Sequence, residues 1–128
     1  MPSARVAQPW LLAMLLASGC ASSGKPPAAQ PALDEPALMA KLRAEVKAAP
    51  ESALSLADEG ERRFGDSAGA EERRALAISA LVNLGRIGEA RSRAYPFLER
   101  YPNGPHSANV AAMTGVHVTP RGPGPSRP

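Results

Sequence analysis

The chain has 128 residues, with 15 Lys+Arg against 12 Asp+Glu and a formal net charge of +3, which leaves room for one small domain and no more. Residues 51–100 carry eight Arg and nine Asp+Glu, so no basic face marks a nucleic-acid partner. A single cysteine excludes a disulfide framework and a Cys-rich zinc site, and His106 and His117 do not stand at metal-ligand spacing.

Taken in chain order, residues 1–9 hold one positive charge, Arg5, and no acid, and residues 10–17 (WLLAMLLA) form an apolar run of eight. A membrane-spanning helix needs ~20 such residues. The run therefore reads as the apolar core of a signal peptide over residues 1–19. Small residues follow, Ala17-Ser18-Gly19, and directly after them comes the sole cysteine, Cys20. This segment resembles the lipobox of bacterial lipoproteins. The resemblance implies cleavage between Gly19 and Cys20, diacylglycerol on the Cys20 thiol and an acyl chain such as palmitate on the new amino group. The commonest lipobox has Leu three places before the cysteine, where this chain has Ala17, with Leu16 one place earlier. An ordinary secretory signal with a stray cysteine is the alternative. Two or three acyl chains hold a protein firmly on a membrane. Ala21 after the cysteine implies, by the enteric sorting rule, the periplasmic face of the outer membrane.

Residues 20–32 pair the lipidation site with a Pro- and Ala-rich segment that has nothing to bury, and read as a flexible tether. Residues 116–128 are Pro- and Gly-rich and are expected to be disordered. Between them, residues 33–115 have a helical apolar period and no strand-like alternation, so the fold class is all-α. Helices are expected over 36–49, 51–64, 70–84 and 87–101, with a truncated further helix over 106–113. Leu38, Leu42 and Val46 share one face of the first helix. The third has a stripe of Leu76, Ala77, Ala80, Leu81 and Leu84, plus a second edge of Ile78 and Val82, as in a helix packed between neighbours. Gly85 suits a left-handed cap after it. Pro96 is expected to kink the fourth helix or break it early.

A shift of 37 residues superposes 53–65 (ALSLADEGERRFG) on 90–102 (ARSRAYPFLERYP). Ala53, Ala57, Gly60 and Phe64 fall at i, i+4, i+7 and i+11, as do Ala90, Ala94, Phe97 and Tyr101. Both helices thus offer small residues for close approach and an aromatic at the end. A repeat of this length points to stacked α-hairpins. The residues resemble the tetratricopeptide (TPR) family. Gly85 to Ala90 look like its turn into the second helix, and Pro102 stands at its proline position. The aromatic usual early in its first helix is missing. The junction from Tyr101 is similar to those of BamD-like and YbgF-like periplasmic TPR lipoproteins. The resemblance implies a short stack of antiparallel helix hairpins, with Ala53, Ala57, Phe64, Gly85, Ala90, Ala94, Phe97, Tyr101 and Pro102 as packing residues. A plain antiparallel bundle is the alternative.

No catalytic constellation emerges. Glu71-Glu72-Arg73-Arg74 at a helix start reads as a solvated, salt-laced face, as do Glu61-Arg62-Arg63 and Arg91 with Arg93. There is no G-x-S-x-G elbow and no phosphate loop, so neither an enzyme nor a cofactor or metal is expected. The functional expectation is a membrane-anchored, non-catalytic adaptor that binds another envelope protein or peptide through a helical face around Arg74, Ile78 and Val82. A structural or spacer lipoprotein without a specific ligand is the alternative.

Overall fold

A computed structural model describes residues 31–119. The expected signal peptide, the Gly19–Cys20 cleavage site, most of the tether and the tail from residue 120 lie outside the described residues. Within them the fold is all-helical, in the order α1 (Glu35–Ala48), α2 (Pro50–Phe64), α3 (Ala70–Asn83), α4 (Ile87–Arg100) and α5 (Ser107–Thr114).

Local chemistry sets the boundaries. The Asp34 carboxylate accepts a hydrogen bond from the Ala37 N–H at 2.9 Å, capping α1 while Pro36 occupies its first turn. Ala49 ends α1 and begins α2, and Pro50, lacking an N–H, starts the new helix where none is needed. Beyond α3, Gly85 takes φ +73. That left-handed turn lets the N–H groups of Gly85 and Arg86 bond the carbonyls of Val82 and Leu81, each at 2.9 Å. Gly65, at φ +50, ends α2 with its N–H on the Glu61 carbonyl at 3.1 Å.

Pro96 lies inside α4, which continues unbroken to Arg100. The expected early break does not occur. Pro96 and Ser92 are both exposed, so solvent can meet the Ser92 carbonyl that loses its helical donor.

Packing centres on α3, which lies against each of the other four helices, while α1 meets α2 and α4 meets α5. The order of contacts is therefore sequential, with the odd-numbered helices also touching: α1 on α3 and α3 on α5. The backbones of α2 and α4 do not approach within 8 Å. Ala75, Ala77, Ile78, Ala80 and Leu81 of α3 are all buried, as expected of a helix enclosed on several sides. Val116, beyond α5, is 2% exposed and joins the core with half-buried Val118, so packing continues past the expected limit at residue 115.

Candidate functional site

The repeat residues divide into two groups. Ala53, Ala57, Ala90 and Ala94 are buried at 0–1% exposure, and Phe97 is buried beside them. The small methyl side chains of the four alanines allow α2 and α4 to seat closely on α3. Phe64 and Tyr101 are only half-buried, and Gly85 and Pro102 are exposed. The two aromatics act as covers at the rim: Arg63 stacks over Phe64 at 4.7 Å, and the Phe97 and Tyr101 rings lie 5.1 Å apart.

Arg73 corrects the reading of residues 71–74 as a solvated face. Its side chain is wholly buried. The guanidinium donates to Glu61 Oε1 and Glu35 Oε1 at 3.1 Å each, to Ser67 Oγ, and to the Gly65 carbonyl. Ser67 Oγ also donates to Glu35. One cation thus ties the start of α1, the end of α2 and the following loop to α3. No buried side-chain polar atom is left without a partner among the described residues. The signal available in sequence was Gly60, a glycine in a helix interior. A Cβ there would collide with Arg73 Cδ and lie 3.2 Å from Leu38 Cδ2.

Ile78 also departs from expectation. At 1% exposure it belongs to the core, and Arg74 and Val82 are half-buried. A strip of α3 with no fully buried member runs instead along Glu72, Leu76, Ser79 and Asn83, spaced i, i+4, i+7 and i+11, the first three half-buried and Asn83 exposed. It is held to α1 by Arg43, which grips the Glu72 carboxylate with Nε and Nη2 at 2.6 Å each, and by Asn83 Nδ2, which donates to the Val46 carbonyl at 2.8 Å.

On the opposite side of α3 a groove of ≈ 560 Å³ opens between α2 and α4. Ala57, Ala77, Ile78 and Phe97 form its floor. Asp58 and Glu61 stand on the α2 wall, and Arg93, Pro96 and Arg100 on the α4 wall with Glu99. Arg93 crosses to Asp58 at 3.0 Å. At the far end Asp66 takes Arg74 at 2.8 Å and Arg100 at 2.9 Å, while Arg74 also donates to Glu61 and to the Tyr101 hydroxyl.

These partners shift the acids. The hydrogen bonds from Arg74 and then Arg100 hold the Asp66 carboxyl below the usual carboxylate range, and the bond from Arg43 does the same for Glu72. The Arg74 guanidinium, held chiefly by Glu61, moves further up from an already high value.

His106 donates its backbone N–H to Glu71 at 3.3 Å. Among the described residues, no three His, Cys, Asp or Glu side chains converge on a metal position, and no helix is long and apolar enough to cross a membrane. Comparison with protein-family models, curated proteins and solved structures gives no match for this chain.

Proposed function

We propose that the protein is a lipid-anchored, non-catalytic adaptor of the bacterial cell envelope. Acylated Cys20 holds it at the periplasmic face of the outer membrane, and a short TPR-like stack of helix hairpins presents a binding face to another envelope protein or peptide. The observation that carries the reading is the order of helix packing. Sequential neighbours pack as hairpins, and α1, α3 and α5 touch in series while α2 and α4 stay apart. That arrangement supports a stacked repeat over a closed bundle, in which all helices would share one axis. The half-buried strip of Glu72, Leu76 and Ser79, ending in exposed Asn83, lies on the side of α3 that meets α1, and it takes the place of the Arg74–Ile78–Val82 strip as the binding surface because Ile78 is enclosed. Apolar Leu76 among polar neighbours suits a shallow protein contact.

Two measurements test the two halves. Intact-mass analysis of the protein from membranes is expected to show loss of residues 1–19 and added acyl mass at Cys20; an unmodified thiol, or a chain still carrying Met1, removes the anchor. Crosslinking in cells through the α3 strip, followed by mass spectrometry, is expected to yield a discrete envelope partner that Ser79→Arg abolishes without changing helicity. Deleting residues 21–31 should impair function in cells and leave binding in solution intact, because the tether supplies proximity rather than contacts. A strip that crosslinks to nothing, with the anchor present, supports the spacer alternative.

A further inference from the structure

We propose that the groove between α2 and α4 is a self-association surface, occupied by the same groove of a second copy of this chain. Arg73 and Arg74 also line the groove and hold Glu61, so Asp58 carries the free acidic charge of the α2 wall, while Arg93 and Arg100 make the α4 wall basic, with Glu99 the one acid on that side. The ion pairs across the groove join Asp58 to Arg93 and Asp66 to Arg100. Asp58 on α2 meets the earlier arginine of α4 and Asp66, in the loop just beyond α2, meets the later one, so α2 and α4 run in the same direction.

A second copy turned by 180° about an axis along the groove keeps its height and exchanges its left and right walls. Its acidic wall then lies over this copy's basic wall, and the converse holds on the other side. A two-fold axis across the groove would instead set acid on acid. The interface is isologous, as a closed dimer requires.

The register follows from the pairs already present. Arg93 and Asp58 of one copy sit at the same height, so the turned copy brings its own Asp58 over Arg93. The bond within one chain uses Arg93 Nη1 and Asp58 Oδ1, and neither group has another hydrogen-bond partner among the described residues. A carboxylate accepts several donors and a guanidinium supplies five. Two chains therefore close a ring of four alternating charges without breaking either original pair. Both side chains are 42% exposed, which makes them reachable. The charges set orientation and partner choice, while exposed Pro96 at the rim supplies apolar contact. Stable interfaces bury about 800 Å² per partner, and the groove alone is smaller. The dimer is thus reversible and weakened by salt.

The full chain, in a mild non-ionic detergent and labelled with donor or acceptor dye at unacylated Cys20, its only thiol, reports association by energy transfer on mixing. Transfer is expected in the parent protein and to decline as salt rises from about 50 to about 500 mM. Asp58→Arg alone and Arg93→Glu alone each place like charges face to face, and should weaken self-association about tenfold or more. Mixed together, the two variants set a groove with two bases at positions 58 and 93 against one with two acids there, and transfer should return. The double variant Asp58→Arg/Arg93→Asp should also associate. Lack of transfer in the parent protein overturns the proposal. So does transfer that persists in both single variants, which would come from elsewhere in the chain. Loss that is not recovered on mixing overturns it too, since it reflects damage to the fold rather than to charge pairing.

Discussion

At the scale of single residues, stability rests on Arg73 and on the space that Gly60 leaves for it. The guanidinium is buried where Glu35, Glu61 and the Gly65 carbonyl meet, and Arg74 shares Glu61 with it, so removing Arg73 leaves Glu35 and the Gly65 carbonyl without their cation. Arg73→Met keeps most of the volume and discards the charge. It is expected to cost about 1–3 kcal/mol, the range for leaving hydrogen-bonding partners unsatisfied, measured as a lower urea midpoint. Alanine normally favours a helix over glycine by about 1 kcal/mol, yet Gly60→Ala should destabilise, because Arg73 Cδ occupies the place of the new methyl and is pinned by its bonds. Gly88, in the first turn of α4, has nothing within 4 Å of a Cβ. Gly88→Ala should therefore stabilise by about 0.5–1 kcal/mol. Opposite signs for the same substitution in two helices, read from thermal melts, check the account.

At the scale of helices, the acids with lowered pKa tie elements together: Glu72 joins α3 to α1 through Arg43, and Asp66 joins the loop after α2 to α3 and α4. A carboxyl whose pKa is lower in the folded than in the unfolded chain stabilises fully above its unfolded value, about 4. That contribution disappears as pH falls through the lower folded value. The urea midpoint is thus expected to be flat near neutrality and to drop below about pH 4. Asp66→Asn with Glu72→Gln should reduce that drop, and an unchanged acid slope would show that the pairs are too solvated to matter. Helix positions were legible in the sequence because Pro50, Gly65 and Gly85 punctuate an otherwise regular apolar period. The small residues of the repeat were legible as well: Ala94 is fully buried and Ala111 half-buried. Ala94→Leu should accordingly overpack by about 1–3 kcal/mol and lower the melting temperature more than Ala111→Leu. The outward face of α3 was not legible. Ile78 and Leu76 are equally apolar, and only the positions of α2 and α4 decide which is enclosed. Nor was Arg73, since an E-E-R-R run has the same composition on a solvated face as where one of its arginines is buried against two half-exposed carboxylates.

For the molecule as a whole, the contact order makes α3 the element on which all others depend. It packs against α1, α2, α4 and α5, supplies Arg73 to the junction of α1 and α2, and anchors α1 again through Glu72 and Asn83. No opening can free α3 without also removing the floor of every other helix. α5 stands differently: it has eight residues, meets only α3 and α4, and is tied by few side-chain bonds. One runs from Arg91 Nε to the Thr114 carbonyl at 2.9 Å, and another from Ser107 to the Tyr101 carbonyl. Helices this short have little stability of their own, so α5 can detach while the α1–α4 core persists. Native-state hydrogen exchange should then separate the two. Amides in the middle of α3 are expected to exchange only with global unfolding, their rates tracking urea with the full denaturant slope. Amides of α5 should exchange faster through a local opening with a small slope. Arg91→Ala, which removes the bond to Thr114, should accelerate α5 and leave α3 unchanged. Equal protection and equal slopes in both helices would mean that α5 and the α1–α4 core unfold as one unit.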